Sequence, residues 1–177
     1  EVDQAAASVA AAVANERRLE REHSDHQARV QEWHRNAEGA IEAGKHVLSQ
    51  KPFVNDLATG ERLCDLADAR GVKLAVNQNG RWAPHFSYLR NAIASGLIGR
   101  VTSVDFSLQW DQTWIKGIEG FESIHYMVLF DFAVHWFDIT SCLMDGQEPQ
   151  RVYASAVGYS EQVYRPPALG SVIVDYP

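Results

Sequence analysis

Two short apolar runs, His46–Gln50 and Val72–Asn77, stand on either side of a stretch with helical spacing, and this arrangement most limits how the chain can fold. Lys51-Pro52 stops the first run, because proline has no N–H to donate to a strand ladder. From Asp56 to Arg70 the apolar residues Leu57, Leu63, Cys64, Leu66 and Ala67 recur at three- and four-residue steps, and Gly71 closes the pattern. Two strands joined through a helix predict a parallel pair. The near-continuous apolar character of the second run, up to Val76, predicts burial on both faces. Upstream, Val30, Trp33, Ala37, Ala40 and Ile41 form one stripe, and Gly44 sits where a left-handed helix cap is expected. The alanine-rich start from Val2 is also helical in character. The run Glu16–Glu22 is charged on most faces and reads as solvated surface.

Beyond Asn77 a polar cluster, Asn77-Gln78-Asn79-Gly80-Arg81-Trp82, precedes a helix that Pro84 opens and that runs through Phe86, Leu89, Ile93 and Leu97. After Gly99 the texture changes. Val101–Trp110 alternates as a half-buried strand would, with Val104, Phe106 and Leu108 inward. Tyr126–Leu143 reads as an apolar helix, and Val152–Val157 and Val172–Asp175 as further strands. The expected class is α/β, a partial Rossmann-type parallel sheet followed by an α/β domain with a mostly antiparallel sheet, incomplete as printed. The boundary falls near 80–84, dividing the chain into 1–80 and 81–177.

Composition narrows the partners. With 46% hydrophobic and 22% charged residues, a 177-residue chain has the balance of an ordinary globular protein. A net charge of −7 leaves no clustered basic face for nucleic acid. No run approaches the roughly 20 apolar residues that a membrane helix needs, and no leader peptide is visible. Cys64 and Cys142, far apart and outside any CxxC, read as buried thiols of a cytoplasmic protein.

Two places carry chemistry. Lys51 lies beyond the carboxyl end of a strand, where ligands bind in open parallel sheets, although a lysine there is often merely solvated. On the apolar helix, Asp131, His135 and Asp138 are four and three residues apart and fall on one face. A buried Asp–His pair can act as a general base, with the carboxylate fixing the tautomer and stabilising the imidazolium. A satisfied structural pair is the alternative, and a metal site on the same three residues is another. The amides after the second strand offer hydrogen bonds to a ligand, though Asn-Gly alone also makes a turn.

Taken in order, the stretch Ala40–Leu48 running into Lys51-Pro52, then Asn79–Pro84, then Asp131-x-x-x-His135-x-x-Asp138 resembles the glucose–fructose oxidoreductase/inositol dehydrogenase (Gfo/Idh/MocA) family. That resemblance implies hydride transfer between NAD or NADP and a hydroxyl-bearing carbon of a sugar, inositol or related polyol. It implies that Lys51 bonds the reacting hydroxyl, that His135 takes its proton, and that Asp131 orients substrate or histidine. Gln50, Lys51, Pro52, Asn79 and Arg81 would line the cofactor, the Lys51–Pro52 peptide is a candidate for the cis form, and no metal is called for. A homo-oligomer is implied by the same resemblance. The sequence departs from the family at Gln50, where glutamate is usual, and at Ala133, a frequent glycine. It also contains no G-x-G-x-x-G, the turn that cradles a pyrophosphate on a helix N-terminus. One reading is a partial record of a longer enzyme, and the other is a non-catalytic ligand-binding or scaffold relative. The first expects the natural polypeptide to have an intact mass well above that of these 177 residues, and a matching mass would favour the second.

Overall fold

The computed structural model describes residues 13–14, 30–54, 56–124, 126–144 and 146–177. The alanine-rich start and the charged run Glu16–Glu22 fall outside the described residues, apart from 13–14. A helix α1 is described over 30–42 and ends at Gly44, whose φ of 70° is the left-handed cap its position called for. Strand β1 (Val47–Gln50), helix α2 (Leu57–Ala69) and strand β2 (Leu74–Asn77) follow. β1 and β2 pair in parallel, Val47 beside Leu74 through Gln50 beside Asn77. Asp56 caps α2 by accepting a hydrogen bond from the Thr59 N–H.

One core holds this unit together. Ile41 of α1, Leu63 and Ala67 of α2, and Val72 are buried, with Trp33, Val47, Phe53 and Leu74 packed around them. Both helices therefore cover a single face of the sheet. Leu48, on the other face, is 74% exposed, and Ala75 is exposed too. The expected burial on both faces is thus corrected: among the described residues no element covers the second face, so burial alternates along both strands. Cys64 is likewise exposed rather than buried, because its side of α2 turns away from the sheet.

A 3₁₀ turn (Asn79–Trp82) leads into α3 (Pro84–Ala94). A second 3₁₀ turn (Thr113–Ile115), a short helix α4 (Glu119–Glu122), a π-helical stretch (Val128–Ala133) and α5 (Val134–Leu143) come next. Strands β3 (Arg151–Val157) and β4 (Leu169–Asp175) form an antiparallel pair, Arg151 beside Asp175 through Val157 beside Leu169. A parallel and an antiparallel sheet joined by helices make the expected α/β class. Residues 101–110 form no strand, however, and Leu108 is 53% exposed. Alternation supplies a face but not a partner: β3 and β4 satisfy each other, and a cleft of about 1090 Å³ lies against both this segment and β4. Among the described residues no helix is long and apolar enough to cross a membrane.

Leu63 is fully buried and Leu57 is 82% exposed. Leu63→Ala should therefore cost about 2–5 kcal/mol in urea unfolding, and Leu57→Ala no more than about 0.5 kcal/mol.

Candidate active site

The site forms where the carboxyl end of β1 meets the π turn before α5. Proline after Lys51 ends the strand, and the Lys51–Pro52 peptide is cis. The lysine side chain crosses to the helix. Its Nζ donates to Asp131 Oδ1 at 2.8 Å and to the Asp131 backbone carbonyl at 2.7 Å. Both side chains are largely buried, each 16% exposed, so the contact is shielded from water and strengthened by it. An ammonium has three N–H donors, and two are used here.

A sequence reading of the helix as uninterrupted α places Asp131 one turn before His135. The structure inserts a π-helical stretch over Val128–Ala133, and π turns recur at functional sites. The wider turn changes the angular step from Asp131 to His135, and the carboxylate meets Lys51, with no hydrogen bond to the imidazole. Asp138 is also committed elsewhere. Arg81 donates from Nε to Asp138 Oδ2 at 2.8 Å and from its terminal nitrogen to Oδ1, a two-point guanidinium–carboxylate pair. Each aspartate of the predicted row thus holds its own cation, and Arg81 faces α5.

His135 lies between these pairs. Its Nδ1 is buried with no hydrogen-bond partner, while Nε2 is not enclosed in that way. Burial, then the nearby Lys51 charge, pushes the imidazole pKa below its ordinary value, and Asp131 and Asp138 oppose this less strongly. The ring is therefore neutral at neutral pH, the state in which a histidine can accept a proton.

The sequence-predicted residues are partly brought together. Lys51, Asp131 and His135 share one place, and Gln50 and Pro52 flank Lys51. The Gln50 side-chain oxygen accepts from the Lys51 N–H at 3.1 Å. Asn79 is exposed at the start of the 3₁₀ turn. Gly80 was legible only as a turn residue, yet a Cβ there would stand 3.2 Å from His135 Nδ1. The pairing of Arg81 with Asp138 also escaped the sequence, since 57 residues separate them. Among the described residues no three His, Cys, Asp or Glu groups are gathered as metal ligands.

The residues present fit one end of a dinucleotide. Two parallel strands end side by side at Gln50 and Asn77, with Lys51 and the Asn79–Trp82 turn just beyond. The helix after β1 is capped by Asp56, whose carboxylate takes the Thr59 N–H, so that N-terminus is not a phosphate cradle.

Residues 86–176 match the GFO/IDH/MocA C-terminal domain family. The chain belongs to the Gfo/Idh/MocA family. It is 37% identical over 73 residues to an uncharacterized oxidoreductase of Schizosaccharomyces pombe, which is 41% of this chain and 19% of that protein. Over 67 residues it is 36% identical to the scyllo-inositol 2-dehydrogenase (NADP(+)) of Bacillus subtilis, 38% of this chain and 19% of that one. The fold matches an inositol dehydrogenase homolog of Azotobacter vinelandii, crystallised with NADH and myo-inositol, at a TM-score of 0.67 and 19% identity. That match covers 80% of this chain and 38% of the other. The matched stretches thus span about a fifth of those curated relatives and about two fifths of the solved structure.

The depressed histidines set a pH dependence. The folded state holds His135 and His34 below the ordinary imidazole value of 6.5, in both cases chiefly through burial. The unfolded chain therefore binds protons first as pH falls. Stability is full above 6.5 and is lost as pH drops from there through the folded-state values. Urea midpoints should fall between about pH 7.5 and pH 5.5, and His135→Gln should flatten the slope.

Proposed function

We propose that this chain carries the catalytic groups of an NAD(P)-dependent oxidoreductase acting on a hydroxyl-bearing carbon of a sugar, inositol or related polyol. The observation that carries this reading is the convergence of Lys51, Asp131 and a neutral His135 beside the carboxyl ends of a parallel strand pair. Asp131 holds the Lys51 ammonium in place through its carboxylate and its carbonyl. The third N–H of Lys51 is then available to a substrate oxygen. His135, through Nε2, accepts the hydroxyl proton, and Lys51 steadies the oxygen as its bond to carbon gains double-bond character. The nicotinamide supplies the hydride acceptor when bound. Gln50, Pro52 and Asn79 are the residues here best placed to line its ring. Arg81, committed to Asp138, acts from behind the histidine. We assign residues 1–80 to part of a dinucleotide-binding unit and 81–177 to part of the substrate domain, the family match from residue 86 supporting the second. The relatives named as an NADP(+)-dependent inositol dehydrogenase and as an inositol dehydrogenase homolog support the substrate class.

Two free cysteines support a reducing, cytoplasmic setting. Tyr153 and Ile173, paired across β3 and β4 and 65% and 60% exposed, support an oligomer through that sheet. The alternative reading, a non-catalytic ligand-binding or scaffold relative, rests on Gln50 and on a sequence without G-x-G-x-x-G, and the dehydrogenase relatives do not favour it.

In the complete enzyme His135→Ala should lower kcat by roughly 10²–10⁴ with little change in cofactor affinity. A loss below about threefold would remove the general-base role. Lys51→Ala should damage both KM and kcat in steady-state assays over a polyol panel. Under the scaffold reading neither substitution changes any activity.

A further inference from the structure

The neutral imidazole of His135 raises a question that Lys51 and Asp131 do not answer: what holds the ring in place. No hydrogen bond reaches either ring nitrogen from the described residues, and neither aspartate of its helix is bonded to it. A side chain without hydrogen bonds must be held by shape. The 3₁₀ turn Asn79–Trp82 supplies that shape. Gly80 faces the ring so closely that an added Cβ would meet Nδ1 at 3.2 Å and the His135 Cβ and Cγ at 3.7 Å. No φ in the left-handed region demands glycine there, so the closeness of the imidazole is the reason left for it.

The next residue fixes the same turn to the same helix. Arg81 grips Asp138 at two points, one helical turn beyond His135. Asp138 is only 9% exposed in its side chain, so the pair is anchored on the buried side. A planar guanidinium on a carboxylate fixes orientation as well as distance. With Asp138 held, α5 cannot rotate, and His135 stays over Gly80.

We propose that Gly80, Arg81 and Asp138 form a positioning unit for His135: Gly80 is the seat on which the imidazole lies, and the Arg81–Asp138 pair locks the helix that presents it. None of the three touches the reacting atoms. They keep Nδ1 turned inward against the turn and leave Nε2 for a ligand. The proposal rests on the general-base reading of His135 for its catalytic consequence and not for its structural content.

The charged groups facing the ring are Lys51 from the end of β1, Asp131 from the π turn, and Asp138 from α5 with Arg81 upon it. Removing Arg81 leaves Asp138 uncompensated, which favours the imidazolium. Adding bulk at position 80 moves the ring toward water, which favours it too. Both changes should shift His135 in the same direction.

The test is histidine-labelled NMR on the complete protein, with the His135 signal identified by its loss in His135→Gln. Gly80→Val and Arg81→Gln should each move the His135 ring resonances and raise its titration midpoint toward the ordinary imidazole value. Arg81→Lys, which keeps the charge but not the two-point grip, should fall between. Turnover in Gly80→Val and Arg81→Gln should drop about tenfold or more with KM changed less than about twofold, as expected for a misplaced base. If Gly80→Val does not fold, as judged by circular dichroism, Gly80→Ala carries the same test with a smaller displacement. Unchanged His135 resonances and midpoint in folded Gly80 and Arg81 variants would overturn the proposal. Should those resonances move while His135→Gln keeps full activity, the positioning unit stands and the general-base reading fails.

Discussion

The Lys51–Asp131 ion pair is the contact on which the site depends, because it joins two parts of the chain eighty residues apart. Lys51 comes from the end of a strand in the parallel sheet, and Asp131 from the helix beside the antiparallel one. Largely buried charges are costly unless paired. Once the strand ends at Lys51-Pro52, the helix must bring an acceptor to the ammonium, and it does so twice, with the carboxylate and the carbonyl of one residue. Burial first, and this ammonium second, hold the His135 pKa below its ordinary value. The cation thereby fixes geometry and adds to what burial does to the imidazole.

A second ion pair, Arg81–Asp138, runs beside the first. Two cations from the sheet side meet two aspartates from the helix side, with the imidazole between them. Lysine and arginine are suited to different parts of this arrangement. The ammonium has a third donor for a ligand oxygen, while the guanidinium is used up by its fork-to-fork contact with the carboxylate. On that ground the proposed function gives the chemical role to the lysine and the structural one to the arginine. The aromatic set Phe86, Phe106 and Trp136 packs on another side of α5, so the helix is held by apolar contacts there and by charge on the side that carries His135.

The cleft of about 1090 Å³ lies on that other side of α5. Phe132, Ala133, Trp136 and Thr140 line it, and Lys51, Asp131 and His135 do not. The segment 101–110, which forms no strand, and β4 both line it without pairing to each other. The proposed site is marked instead by the convergence of a lysine, a carboxylate and an imidazole whose pKa burial lowers.

Residue order alone was enough to determine the parallel pair, the helix between its strands and the left-handed cap at Gly44, while the family resemblance supplied the cis candidate at Lys51–Pro52 and the proposed roles of Lys51, Asp131 and His135. The first three depend on local rules: proline ends a ladder, glycine accepts a positive φ, and apolar spacing marks a helix face. Tertiary structure decided which groups are partners. Sequence spacing placed Asp131 with His135, but the π turn and the approach of β1 gave its carboxylate to Lys51. The family resemblance assigned Arg81 to a cofactor and residue type left Gly80 as a turn residue, whereas packing set one against Asp138 and the other against the imidazole. The alternation over Val101–Trp110 could not supply the neighbouring strand on which a ladder depends. Periodicity records the environment one residue at a time, and the partner of a charge or a strand is a property of two distant segments at once.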